Sequence, residues 1–249
     1  MIELVAANKA IECRLVIFDK NGTMVDQDIL LLELAKARKN AVSKNISEKV
    51  AERWEDAVGV DLRTGKIDNA GPLATIPRRE ELLVAATMFY INDVPWRKAI
   101  DLASKAYDEA DDSMKPPYGS VLFEDVADTL RQLKEHELKL AVASTDTHRR
   151  TEESFKALGI DSLFDALVGS DDVARGKPFP DMILEVCKIS GTNVEDTVIV
   201  GDSLSDIQMG LNAGVKACIG VLTGAGTRKE LETLTDIVIS SAAELGASS

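Results

Sequence analysis

Leu15-Val16-Ile17-Phe18-Asp19-Lys20-Asn21-Gly22-Thr23 is the stretch on which the reading of the fold turns. An apolar run ends on a carboxylate and passes into a glycine turn. A strand buried on both faces reads this way, and the carboxyl end of such a strand is where open α/β sheets bind ligands. Alone, Asp19 would be a cap for the Asn21-Gly22 turn and Thr23 a turn residue. Two later stretches change the weighing. Leu140-Ala141-Val142-Ala143 runs into Ser144, and Val198-Ile199-Val200 runs into Gly201-Asp202-Ser203-Leu204-Ser205-Asp206.

Working outward, short apolar runs alternate with helical periodicity from Leu138 onward. Strands are expected over 140–143, 166–168, 197–200, 216–221 and 236–239, and helices over 147–158, 180–190 and 205–213. An amphipathic helix over 123–135 feeds the first of these strands. The alternation predicts a parallel sheet with helices on both faces. Residues from Val25 to Pro117 differ. Helical periodicity covers 28–57, 79–92 and 96–111, and strand-like runs are few. Gly65, Gly71, Pro72 and Pro77 break the helices within 59–77, and Pro116-Pro117 punctuates the return. The expected organisation is a core from 1–24 and 117–249, interrupted by a helical unit over 25–116.

Composition narrows the partners. The 249-residue chain carries a net charge of −13, so nucleic acid and anionic membranes are not expected partners. A phosphorylated substrate would be repelled too, unless a cation or a metal reverses the field locally. Cys13, Cys187 and Cys218 are unclustered, which argues for a reducing cytoplasm. Residues 1–10 lack an apolar signal core, and no apolar run reaches the ~18–20 residues that span a bilayer. A soluble cytoplasmic protein is expected.

The candidate chemistry sits at the strand ends. A carboxylate such as Asp19 can attack phosphorus and form an acyl-phosphate, splitting one hard hydrolysis into two steps. The backbone amides around Gly22 and Thr23 are expected to hold phosphate oxygens. Ser144, with Thr145 beside it, offers a hydroxyl to the same group. Thr145, Asp146 and Thr147 lie closer to the next helix and suit its N-cap. Lys177, between Gly176 and Pro178, supplies a cation on a proline-stiffened loop. Asp202 and Asp206 straddle a strand-to-helix turn, a spacing that suits a hard cation such as Mg²⁺. Their alternative role is to complement a helix dipole. His136, His148 and Arg175 read as surface residues. Lys66, Arg78 and Arg79 read as solvated charges that could touch a substrate's far end. Trp54 and Trp96 read as packing residues.

In this order the pieces resemble the haloacid dehalogenase-like hydrolase superfamily, in its phosphoglycolate-phosphatase-like branch with a helical cap. The resemblance rests on Asp19 with Gly22-Thr23, on Ser144, on Gly-Lys-Pro at Lys177 and on Gly-Asp-x-x-x-Asp at 202–206. Val221-Leu222-Thr223-Gly224 and the last strand near Ile237 add to it. It implies a Rossmann-like core and a cap inserted after the first strand. It also implies Mg²⁺ held by Asp19, Asp202 and the backbone carbonyl of Asn21, with Asp206 positioning the ion. The activity implied is hydrolysis of a small phosphorylated metabolite by a monomer or homodimer.

The departure is Asn21. Members of this family that are phosphatases carry there an Asp that protonates the leaving oxygen and then activates water. An amide does neither, and such help is worth ~10²–10⁴-fold. Binding should survive while turnover falls. P-type ATPases, with a similar Asp-Lys-x-Gly-Thr run and Thr in the middle, show that the first transfer can proceed without that Asp. Two other readings stay open. One is carbon–phosphorus cleavage as in phosphonoacetaldehyde hydrolases, with Lys36, Lys39, Lys44 or Lys49 as Schiff base. The other is a catalytically weak protein that binds phosphorylated ligands.

Overall fold

The computed structural model describes residues 2–68, 71–76 and 78–248. Pro77, expected to interrupt the helices, lies outside them. In chain order the elements are β1 (Ile2–Ala6), β2 (Lys9–Cys13), β3 (Leu15–Phe18), α1 (Gln27–Asn45), α2 (Glu48–Val58), β4 (Val60–Asp61), β5 (Lys66–Ile67), α3 (Pro72–Thr75), α4 (Arg78–Tyr90), α5 (Trp96–Ser113), α6 (Val126–Glu135), β6 (Lys139–Ala143), α7 (His148–Leu158), β7 (Ala166–Val168), α8 (Asp181–Ser190), β8 (Thr197–Gly201), α9 (Leu204–Ala213), β9 (Ala217–Val221), α10 (Arg228–Leu231), β10 (Val238–Ile239) and β11 (Gly246–Ser248). The chain divides into two compact units, Met1–Gln27 with Ser120–Ser249, and Asp28–Gly119.

The first unit is built on a six-stranded parallel sheet in the order β10-β9-β8-β3-β6-β7. It is the doubly wound, Rossmann-like sheet expected. Central strand β3 is buried at all four residues, because its apolar side chains face a core on each side. Val16, Phe18, Leu140, Val142, Val198 and Val200 pack on one face with α6 and α7. Leu15, Ile17, Ala141, Ala143 and Ile199 pack on the other with α8 and α9. Register fixes the site. Phe18 lies opposite both Val142 and Val200, so Asp19, Ala143 and Gly201 come level at the carboxyl edge.

A second sheet was not expected from the sequence. β1, β2 and β11 form an antiparallel sheet in the order β11-β1-β2. Ala7 (φ 48°) and Asn8 (φ 62°) make the two-residue turn between β1 and β2, and two positive φ angles are what such a hairpin requires.

The unit Asp28–Gly119 has its own core around Trp54, Phe89 and Tyr107. The helical periodicity over 28–57 resolves into two helices, because Ser47 caps α2 by accepting from the Val50 amide at 3.4 Å. The segment expected to be irregular contains the β4–β5 hairpin. A buried polar network lies in this core. Arg38 pairs with Glu81, the Tyr107 hydroxyl donates to Glu81 Oε1 at 2.8 Å, and the Trp54 indole donates to Tyr107 at 3.0 Å. Burial pushes the Glu81 carboxyl above its ordinary range, and Arg38 only partly offsets this. Trp54 is fully buried. Trp96 is not a core residue: it is 44% exposed and packs T-shaped with Tyr90. Among the described residues no helix is long and apolar enough to cross a membrane.

Candidate active site

Asp19 follows β3, and its amide donates to Val200 O at 2.9 Å, which locks the strand end against β8. Asp202 follows β8, and Asp206 lies in the first turn of α9. The three side chains converge: each offers a carboxylate oxygen within 4.8 Å of the others, and all three residues are buried. Lys177 enters from the Gly-Lys-Pro loop and pairs with Asp19 and with Asp206, the latter at 2.6 Å. Its ammonium is held by two carboxylates.

The electrostatics follow from burial. Desolvation pushes the Asp19 carboxyl up to about 8; Lys177 opposes the rise, and Asp206 and Asp202 add to it. Burial also raises Asp202, with the charge of Asp206 behind it and the Ala225 amide opposing. Burial alone would lower the Lys177 ammonium, but Asp19 and Asp206 outweigh it and hold the group above its usual range. Three carboxylates share one ammonium. That excess of negative charge on hard oxygen donors is compatible with a divalent cation.

Asp206 combines both roles weighed for it. Its Oδ2 accepts from the Ser203 amide at 3.1 Å and hydroxyl at 2.6 Å, closing a capping box on α9, while Oδ1 faces Lys177. Thr23 is buried, and its hydroxyl donates to Asp202 Oδ1 at 3.2 Å. The Gly22 amide is not available to a phosphate. It donates to Val25 O at 2.8 Å, because the turn closes on itself. Gly22 serves otherwise: its φ is +81°, and a Cβ there would lie 2.7 Å from Asp202 Oδ2. Ser144 is buried after β6, and its Oγ accepts from the Asp146 amide at 3.1 Å. Thr145 is exposed. Thr147 is the N-cap of α7.

Asn21 hydrogen-bonds Asp146 through its side chain. A carboxylate only accepts, so the donor is the Asn21 amide nitrogen. Asn21 Oδ1 is buried without a hydrogen-bond partner among the described residues.

Two groups were not legible as site residues. Lys20 is buried and donates to Asp146 Oδ2 at 2.8 Å. Burial pushes the Asp146 carboxyl up, but Lys20, with Arg150 and Asn21 behind it, outweighs this and brings it below the usual range. The other group is the loop after β9. Thr223 Oγ1 donates to Gly22 O at 2.6 Å, and the Ala225 amide donates to Asp202 Oδ2 at 2.7 Å. Its only signal was the glycine turn Thr223-Gly224 after a strand.

Residues set aside or left open also find places. His148 Nδ1 pairs with Asp172 at 2.7 Å. Arg175 pairs with Asp181 and lies over Phe179. Arg78 is committed to Asp108 and Asp111 at 2.6 and 2.7 Å rather than being a free solvated charge.

The comparisons with known proteins agree with this fold. The family model described as haloacid dehalogenase-like hydrolase matches residues 83–220. The phosphoglycolate phosphatase of Shigella dysenteriae is 30% identical over 210 residues, 83% of this chain and 81% of that protein. The pyrophosphatase PpaX of Halalkalibacterium halodurans is 36% identical over 97 residues, 39% of this chain and 45% of that protein. The solved structure of a predicted phosphoglycolate phosphatase from Haemophilus somnus superposes with a TM-score of 0.66 at 20% identity. It covers 94% of this chain and 96% of that one, and is a likeness of fold. The chain belongs to the haloacid dehalogenase-like hydrolase family.

Proposed function

We propose that this hydrolase is a Mg²⁺-dependent phosphatase that acts on a small phosphorylated metabolite through an aspartyl-phosphate on Asp19. The observation that carries the reading is the convergence of Asp19, Asp202 and Asp206 around Lys177 at the carboxyl edge of the sheet. The relatives named phosphoglycolate phosphatase and pyrophosphatase support the substrate class.

Asp19, Asp202 and the backbone carbonyl of Asn21 would hold the ion, with Asp206 positioning it. The ion would supply charge neutralisation for the phosphoryl oxygens and keep Asp19 ionised against its burial. Asp19 then attacks phosphorus. Lys177 stabilises the charge that builds on the phosphoryl group and keeps Asp206 in place. The Ser144 hydroxyl is directed at a phosphoryl oxygen. Asn21 neither protonates the leaving oxygen nor activates water, so turnover is slow. Asp28–Gly119 is proposed as the unit that selects the substrate, and a reducing cytoplasm suits three buried free thiols.

Carbon–phosphorus cleavage gains no support from the lysines it needs. A Schiff-base amine is activated by a lowered pKa. Lys36 is paired with Glu33 and Lys39 with Glu55, and the hydrogen bond that Lys39 donates to Glu55 raises its pKa. Lys44 and Lys49 are exposed.

The test is a panel of phosphorylated metabolites with detection of released phosphate, run with Mg²⁺ and with a chelator. Release should need Mg²⁺ and vanish in Asp19→Ala. Asn21→Asp should be faster by about tenfold or more, a threshold below the ~10²–10⁴-fold that a general acid–base contributes. Uniform silence from both the chain and Asn21→Asp would sink the phosphatase in favour of a ligand-binding protein.

A further inference from the structure

Asn21 is followed by Gly22, at a position where the proposed reaction calls for a carboxylate and the chain carries an amide. Resting on that reading, we propose that Asn21-Gly22 is a self-processing site, at which intramolecular loss of the side-chain amide leaves an aspartate at position 21.

The chemistry is that of any Asn-Gly pair. The Gly22 backbone nitrogen attacks Asn21 Cγ and forms an N–Cγ bond. The Cγ–Nδ2 bond breaks, the Gly22 N–H proton passes to the departing nitrogen, and ammonia leaves a cyclic imide. Water then adds at Cγ, the Cγ–N bond breaks, and the proton returns to Gly22. The sum is amide plus water giving acid plus ammonia, with no oxidant or reductant. Addition of water at the backbone carbonyl carbon instead gives the isoaspartyl isomer.

Three features of the site favour this course. Glycine leaves the attacking nitrogen without a neighbouring Cβ, and the site itself compels glycine: a Cβ at position 22 would meet Asp202 Oδ2 at 2.7 Å, on a backbone with φ +81°. The glycine of the pair is thus built in by the geometry around Asp202. The Asn21 amide is also poorly satisfied, with Oδ1 buried and unpartnered among the described residues. Its nitrogen already faces Asp146, an acceptor that favours the protonated departing amine. Finally, the product is selected. The Lys20 carbonyl is held by the Met24 and Val25 amides, each at 2.9 Å, and the Gly22 amide by Val25 O at 2.8 Å. An isoaspartyl link would add a backbone atom between these anchors, so the fold favours the ordinary aspartate. The same Val25 hydrogen bond must open before the nitrogen can attack. Conversion in the fold is therefore slower than in the unfolded chain.

The experiment incubates the purified full chain at mildly alkaline pH and follows two readouts. One is mass spectrometry of the peptide containing residue 21, with fragmentation that separates aspartate from isoaspartate. The other is phosphate release over the same metabolite panel. Asn21→Gln, which would need a larger ring, and the urea-unfolded chain are the controls. The expected result is progressive conversion of Asn21 to aspartate with isoaspartate the minority, while Asn21→Gln keeps its amide. Activity should climb about tenfold or more toward the Asn21→Asp level. A folded chain that shows no conversion at Asn21 over an incubation many times longer than the unfolded chain needs overturns the proposal, as does isoaspartate as the main product. Conversion to aspartate with no phosphate release supports self-processing and overturns the phosphatase reading. Release of phosphate from a chain whose amide stays intact does the reverse.

Discussion

Lys20 places an ammonium inside the core with 2% of its side chain exposed, and Asp146, 25% exposed, answers it at 2.8 Å. The two ends of this pair are unequal. Removing the carboxylate strands a nearly sealed cation, and breaking a buried pair from one side costs about 3–5 kcal/mol. Removing the cation strands a carboxylate that can still reach water. Urea unfolding should therefore show Asp146→Ala losing more stability than Lys20→Met; the opposite order would mean that the pair is not what stabilises Lys20. The sequence placed this lysine in the motif but did not mark its burial, because a single Lys in a loop reads as solvated and only its neighbours in space bury it. Gly224 makes the second argument at this scale. A Cβ there would lie 2.1 Å from Asp202 Oδ2 and 2.7 Å from its Cβ, while the Ala225 amide and the Thr23 hydroxyl pin that carboxylate. Asp202 cannot simply step aside. Gly224→Ala should raise the Mg²⁺ concentration for half-maximal activity about tenfold, equivalent to about 1.4 kcal/mol. An unchanged Mg²⁺ titration would remove Asp202 from the proposed ion site.

Two helices begin with the same device, and only one of them touches the chemistry. Ser203 and Asp206 close a capping box on α9, and Thr227 and Glu230 close another on α10. Loss of an N-cap hydroxyl costs about 1 kcal/mol in either place. Ser203→Ala and Thr227→Ala should thus lower stability alike in urea. Only Ser203→Ala should also lower activity, since its hydroxyl fixes Asp206 Oδ2 at 2.6 Å while Oδ1 faces Lys177. Equal activity in the two variants would reduce Asp206 to a helix cap. Elements such as β3 and β8 were legible because strands buried on both faces need unbroken apolar runs. The β1–β2 hairpin was not. Glu3, Lys9 and Glu12 interrupt short runs, and its defining turn uses Ala7, a residue that rarely takes a positive φ. β11 could not have been found in Gly246-Ala247-Ser248, which has no strand preference of its own and is ordered by pairing with β1. The site was legible where one residue type ends a strand. It was lost where the contact comes from a loop amide, as at Ala225, whose side chain says nothing about its N–H.

At the scale of the whole molecule, the site's charge is linked to the stability of the fold. Without a divalent ion the Asp19 carboxyl sits at about 8, against about 3.9 in an unfolded chain. The fold therefore binds this proton more tightly than the unfolded chain does. The stabilisation is complete below about pH 3.9 and is lost as pH rises through about 8. The net charge of −13 pushes in the same direction, through self-repulsion that grows as the remaining acids ionise. Asp19→Asn separates the two, because it removes the titrating group and leaves nearly all of the repulsion. Chelated wild-type protein should lose Tm more steeply between about pH 6 and about pH 9 than chelated Asp19→Asn does. A bound cation inverts the trend, since it favours the ionised carboxylate and must displace the proton to bind. The rise in Tm on adding Mg²⁺ should accordingly be larger at about pH 8 than at about pH 6, and it should shrink at both in Asp19→Asn. A Mg²⁺ effect of equal size at the two pH values would mean that the ion does not compete with the Asp19 proton, and the carboxylate cluster would then have to be read as a structural ion-pair network around Lys177.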